Sequence, residues 1–192
     1  MQFVIATNNR HKVDEIKPVF PKGITLLTLD EVNVKEEIPE TADTLEGNAL
    51  QKARFVYERL KLNCFADDTG LEVEALNGAP GVYSARYAGE GKSAADNIVK
   101  LLSELKGVLN RKAKFRTVIA AIIDGKEYTF EGAVEGTIAE NPMGQKGFGY
   151  DPVFVPDGYS VSFAQMTLEE KNSLSHRSRA VKAFVKFLES KN

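Results

Sequence analysis

Apolar residues in this chain recur in two periods, and the switches between them mark out its elements. Phe3-Val4-Ile5-Ala6 is an unbroken apolar run and predicts a buried strand. Past Thr7-Asn8-Asn9, Val13, Ile16 and Phe20 fall on one face of a helix. Residues 24–29 predict a second strand. Residues 30–42, with Glu31, Glu36, Glu37 and Glu40, predict an irregular acidic loop. Asp43-Thr44-Leu45-Glu46 resembles a capping box with Asp43 in place of the usual hydroxyl. It opens a helix whose buried stripe is Leu45, Ala49, Ala53, Val56 and Leu60. Phe65-Ala66-Asp67-Asp68-Thr69-Gly70-Leu71 predicts the end of a buried strand turning into a loop, and Asn77-Gly78-Ala79-Pro80-Gly81 a turn.

Residues 93–109 predict an amphipathic helix with Ile98, Leu101, Leu102, Leu105 and Leu109 inward. Residues 113–123 form the strongest strand pattern, and Asp124-Gly125 is a two-residue hairpin signal. Residues 127–130 return as the partner strand, and residues 133–139 are a candidate extension of the sheet. Residues 144–152 are a glycine-rich loop, followed by a strand at Val153-Phe154-Val155. Thr167-Leu168-Glu169-Glu170 is a second capping box and starts a short helix that includes Lys171. Ser175-His176-Arg177 precedes a last helix burying Val181, Phe184, Val185 and Leu188. A crossover unit followed by a hairpin gives an α/β fold with a mixed sheet.

The 192 residues fit one domain over 1–192, at about 150 residues per domain. With 43% hydrophobic and 27% charged residues the balance is that of a globular chain. A net charge of −2 argues against a nucleic-acid partner, which calls for a basic surface. A phosphate ligand would therefore need local positive charge. Cys64 is the single cysteine, which excludes an intrachain disulfide and fits a reducing, cytoplasmic setting. No signal peptide is expected, and the apolar run at residues 118–123 is far short of the roughly 18 residues that span a membrane.

Adjacent carboxylates such as Asp67 and Asp68 raise each other's pKa, and a bound cation offsets the cost. A hard ion such as Mg²⁺ takes one or two carboxylates plus substrate phosphates. An acidic surface turn accounts for the same seven residues on their own. Strand, polar loop and helix start at residues 3–12 present backbone N–H groups to an anion. Lys12 in the first helical turn runs against the acidic preference there, as it would with an anion between them. A plain Asn9 cap with Lys12 in water fits equally well. Together, residues 7–12, Glu40, residues 67–70, residues 148–151 and residues 171–177 supply cations, carboxylates, an aromatic plate and polar groups. That is an inventory for a nucleoside triphosphate.

The same segments resemble the inosine triphosphate pyrophosphatase (Ham1-like) family. The likeness lies in Ala6-Thr7-Asn8-Asn9-Arg10-His11-Lys12, Pro39-Glu40-Thr41, Glu46-Gly47-Asn48-Ala49 and Ala66-Asp67-Asp68-Thr69-Gly70-Leu71. It continues in residues 80–87, Gly147-Phe148-Gly149-Tyr150-Asp151-Pro152-Val153-Phe154 and Lys171-Asn172-Ser173-Leu174-Ser175-His176-Arg177. Thr7 and Thr69 stand where family members often carry Ser, and both keep the hydroxyl.

The resemblance implies an elongated, twisted mixed sheet flanked by helices, with two lobes around a substrate cleft, and a homodimer. It implies Mg²⁺-dependent hydrolysis of ITP, dITP and XTP to monophosphate and pyrophosphate, which cleanses the nucleotide pool. By the same resemblance Thr7, Asn8, Asn9, Arg10, His11 and Lys12 would hold the triphosphate. Glu40 and Asp68 would bind the metal, and Asp68 would also take a proton from the attacking water. Thr69 would touch substrate. Phe148, Gly149, Tyr150, Asp151, Lys171, His176 and Arg177 would form the nucleotide pocket.

Asp68 is the first candidate for the base, with Asp67 as the neighbouring alternative. Arg177, His176 and nearby backbone N–H groups are candidate donors to the 6-oxo group, with Phe148 stacking on the ring. A pyrophosphatase of the related Maf type and a nucleotide-binding regulator without turnover are the alternatives, to be separated by a substrate panel and by pyrophosphate release.

Overall fold

The computed structural model describes residues 1–91 and 93–191. In chain order the elements are β1 (Gln2–Ile5), α1 (Arg10–Ile16), β2 (Thr25–Leu27), α2 (Leu45–Leu60), β3 (Cys64–Val73) and β4 (Pro80–Gly81). There follow α3 (Ala94–Glu104), β5 (Lys112–Ile123), β6 (Lys126–Ile138), β7 (Phe154–Pro156), α4 (Leu168–Leu174) and α5 (His176–Glu189). The strand order is β2-β1-β3-β5-β6-β7, with β4 on β3. The sheet is mixed: β1 runs parallel to β2 and β3, while β3–β4 and β6–β7 are antiparallel. Among the described residues no helix is long and apolar enough to cross a membrane.

The chain divides into two compact units: Met1–Asp68, Thr117–Gly132 and Arg177–Asn192 form one, Thr69–Arg116 and Ala133–His176 the other. The first is built on β1 and β2, with Gln2 opposite Thr25 and Val4 opposite Cys64. Its core is aromatic: Phe3, Phe20, Phe65 and Phe184 pack with Ile5, Ile16, Ile119 and Val181. The Phe20 and Phe65 rings stack at 5.4 Å, and Phe3 meets Phe184 edge-on at 5.5 Å. The second unit packs Leu71, Val73, Leu101, Leu105, Phe115, Val153, Phe154 and Phe163 into its own core.

Several elements differ from the pattern reading. α1 ends at Ile16 and tightens into a 3-10 turn at Lys17–Val19, because Pro18 has no N–H to continue the helix. Phe20 is buried all the same. β2 is only three residues long. The cap of α2 is Thr44, not Asp43: its hydroxyl accepts from the Gly47 N–H, and a glycine at that position cannot complete a capping box. The Asp67-Asp68 pair does not end a strand; β3 runs through it to Val73. α3 stops at Glu104, so Leu109 projects into solvent at 99% exposure. The hairpin turn has Asp124 and Gly125 at φ +50° and +79°, both in the left-handed region a type I′ turn needs. Its return strand β6 is unbroken over 13 residues. Ser175 caps α4, and His176 and Arg177 belong to the first turn of α5.

Gly136 in β6 marks a close approach to β7. A Cβ there would collide with the Val155 carbonyl oxygen and sit 2.7 Å from Phe154 Cζ. Forcing a methyl into such a contact typically costs about 1–3 kcal/mol. Gly136→Ala is expected to lower stability by that amount in urea unfolding, and an unchanged midpoint would show that β7 shifts freely.

Candidate functional site

In the first unit the apolar stripe of α2 is interrupted by two polar side chains. Asn48 and Lys52, one helical turn apart, are 1% and 4% exposed alongside Leu45, Ala49, Ala53 and Val56. The Lys52 ammonium is 2.5 Å from Glu40 Oε1, 2.8 Å from the Asp67 carbonyl oxygen and 3.4 Å from Asp68 Oδ1. Asn48 Nδ2 donates to Asp68 Oδ2 at 3.2 Å, and its Oδ1 accepts the Ala42 N–H at 2.9 Å. Lys12 Nζ lies 3.2 Å from Asp67 Oδ2. Arg177 donates through Nε to the same oxygen at 3.1 Å and through Nη1 to Glu15 Oε2.

The two adjacent aspartates are therefore not equivalent. Successive residues of a strand face opposite ways, so each meets its own partners. Burial penalises the Asp67 charge, but Lys12, Arg177 and Lys52 outweigh it and hold this carboxyl well below the usual carboxylate range. For Asp68 burial wins: it pushes the carboxyl up against the pull of Lys52 and Lys12, and Glu40 adds to the rise. Asp67 is a fixed anion, and Asp68 is the more basic of the pair. Burial also draws the Lys12 ammonium below its ordinary range. Lys52 is desolvated too, but Asp68 and Glu40 outweigh this and raise it.

Residues 7–12 are ordered locally. Thr7 Oγ1 accepts the Asn9 N–H at 3.1 Å, and Asn9 Oδ1 caps α1 by accepting the His11 N–H at 3.1 Å. The cap reading of Asn9 is thus correct, but Lys12 does not point to water: its side chain is 13% exposed. Asn8, Arg10 and His11 are exposed.

The second unit holds a different cluster. Asp151 Oδ2 accepts from the Phe148 N–H at 2.9 Å and from Lys171 Nζ at 2.5 Å. The ammonium also lies 5.1 Å from the Phe148 ring and 5.4 Å from the Phe163 ring. Gly147 leaves room for this carboxylate, since a Cβ there would collide with Asp151 Oδ2. The capping box at Thr167 and Glu170 starts α4 and presents Lys171 one turn in. Tyr150 is buried and donates its hydroxyl to the Ser84 carbonyl at 2.9 Å, so it fastens the loop at residues 147–151 to the turn at residues 84–86. His176 stacks on Phe115 at 4.6 Å. Gly149 follows Phe148 in that loop, and Thr69 is half-buried in β3.

The structure thus gathers Lys12, Glu40, Asp68 and Arg177 in one unit, and Phe148, Asp151 and Lys171 in the other. Arg177, read from sequence as a donor to the base, has its guanidinium buried against Asp67 and Glu15. Sequence reading gave no role to Asn48, Lys52 or Glu15, although Asn48 lies in a segment that carries the family likeness. The signal for the first two was present, as polar residues on an otherwise apolar helical stripe. Among the described residues no three His, Cys, Asp or Glu side chains form a metal cage.

The Ham1 family model matches residues 3–187. The dITP/XTP pyrophosphatase of Porphyromonas gingivalis is 56% identical over 188 residues, which are 97% of each chain. That of Flavobacterium psychrophilum is 50% identical over 190 residues, covering 99% of this chain and all of the relative. The structure of the Staphylococcus aureus Ham1 protein superposes with a TM-score of 0.90 at 40% identity over the whole of both chains.

Proposed function

The chain belongs to the Ham1 family, and from that premise we propose that it hydrolyses dITP and XTP to the monophosphate and pyrophosphate. The observation that carries this reading is the carboxylate pair of β3 seated among Lys12, Lys52 and Arg177. Hydrolysis between the α- and β-phosphates expels a highly charged leaving group, so the enzyme must chiefly position it and neutralise its charge. Lys12 and Lys52 are the cations for the polyphosphate. Asp68, whose carboxyl is raised by burial, orients a water and takes its proton, as a base gains strength when its pKa moves toward the working pH.

Glu40 and Asp68 both touch the Lys52 ammonium, and these two carboxylates are the candidate ligands for one small cation. Two protein carboxylates without a full cage suit Mg²⁺, which completes its shell with phosphates and water. Bound there, the ion would neutralise phosphate charge and acidify the attacking water. Asp67 stays ionised throughout and anchors Lys12 and Arg177.

For the purine, Phe148 offers a ring to stack on. Lys171, His176 and the loop's backbone N–H groups are donors for a 6-oxo oxygen. ATP, which presents an amino donor there, would leave such groups unpaired. A homodimer and a cytoplasmic setting are part of the same proposal.

Purified protein with Mg²⁺ is expected to release pyrophosphate from dITP and XTP at least about 10²-fold faster than from ATP, a discrimination that hydrogen-bonding sites readily reach. Chelation by EDTA should stop it. Orthophosphate as the first product would replace this reading with a phosphatase.

A further inference from the structure

Asn48 stands outside every segment singled out for substrate or metal, yet it is almost fully buried and both ends of its amide are used. Its Nδ2 donates to Asp68 Oδ2, and its Oδ1 accepts the N–H of Ala42, two residues past Glu40. One rigid side chain on α2 therefore ties a β3 carboxylate to the loop that carries a second carboxylate. Lys52, one turn along the same helix, reaches Asp68 Oδ1 and Glu40 Oε1. Asp68 thus has one oxygen on an amide and the other beside a cation.

Left alone, a carboxylate rotates about its terminal torsion through a broad, two-fold well. A single amide donor on one oxygen breaks that symmetry and sets which lone pairs of the other oxygen are presented. Asparagine suits this task. Its donor adds no charge beside Asp68, and its acceptor fixes which way the amide faces.

We infer that Asn48 is a positioning residue for the hydrolysis: it locks the rotation of the Asp68 carboxylate and couples it to the Glu40 loop, without itself touching substrate. The inference rests on the pyrophosphohydrolase reading above and adds to it the residue that orients the base.

Two variants separate this from simple packing. Asn48→Leu removes both hydrogen bonds at nearly constant volume. Asn48→Asp keeps an acceptor for the Ala42 N–H but replaces the donor to Asp68 with a second carboxylate. Each is assayed for pyrophosphate release from dITP in saturating Mg²⁺, with far-ultraviolet circular dichroism as the folding control. For both, kcat is expected to fall about 10–100-fold, the usual loss when a group that orients a reactive residue is removed. KM for dITP should stay within about threefold of wild type, because interactions made only in the transition state show in kcat.

A wild-type kcat in Asn48→Asp would overturn the inference, leaving Asn48 to hold the 40–42 loop alone. A raised KM with unchanged kcat in either variant would overturn it too, by making the amide a ground-state binding group. If Asn48→Leu does not fold, the Asn48→Asp result decides. A wild-type protein that releases no pyrophosphate defeats the proposed function and this inference with it. An active wild type with unaffected variants defeats the inference alone.

Discussion

Asp68→Asn should lower kcat for dITP by about 10²–10⁴-fold, the range attributable to a positioned general base. The substitution keeps the volume of the side chain and keeps one oxygen for the Asn48 amide. It removes the negative charge that faces Lys52 and the capacity to take a proton. Asp67→Asn is the informative contrast. That side chain is fully buried, and its charge is what Lys12 and Arg177 are paired with. Its loss should act on folding and on the placement of Lys12 more than on the proton transfer. Single-turnover kinetics with dITP distinguishes the two, because a slowed chemical step appears there even if product release limits the steady state. Asp68→Asn with a single-turnover rate within threefold of wild type would remove Asp68 as the base and turn attention to its neighbour.

Arg177→Met should destabilise the protein by about 3–5 kcal/mol, the range for breaking a buried ion pair by removing one partner. Glu15 and Asp67 are 5% and 0% exposed, and each loses a direct donor when the guanidinium goes. Methionine fills much of the same volume, so the loss is electrostatic rather than a cavity. Arg177→Lys should recover only part of it, since one ammonium cannot reproduce two donors held in a planar fork. Urea unfolding at neutral pH measures both.

The acid limb gives an independent check. Asp67 has its carboxyl depressed in the folded protein, after burial has been outweighed by Lys12, Arg177 and Lys52. Its contribution is therefore complete above the unfolded aspartate pKa of about 3.9. It is lost as the pH falls from there through the lower folded value. In Arg177→Met the depression shrinks, and acid unfolding should begin at a higher pH than in wild type.

The first strand, the helices at both ends and the long hairpin were legible because each repeats its pattern over several residues or carries a strong turn signal. The Asp124-Gly125 turn needs positive φ at both residues and has a sequence to match. The Asp67-Asp68 pair was misplaced for a physical reason. Two carboxylates inside a strand are forbidding until their partners are known, and those lie far away along the chain. Lys12 is 55 residues from Asp67 and Arg177 is 110. No window of sequence contains that neutralisation.

Lys52 and Asn48 were hidden differently. Lysine and asparagine on a helix are ordinarily solvated, and it is their position on the stripe with Ala49, Ala53 and Val56 that betrays their burial. Leu109 shows the converse, an apolar residue at helical spacing beyond the point where α3 has already ended.

The borders between the two units fall inside β3, β5 and β6, and once more at the start of α5. Each unit is therefore pieced together from non-contiguous lengths of polypeptide. A gene fragment ending near residue 68, or a proteolytic cut there, would sever a strand in mid-course and liberate no autonomous half. Such an arrangement resists modular shuffling, because no single continuous stretch of the gene encodes either unit.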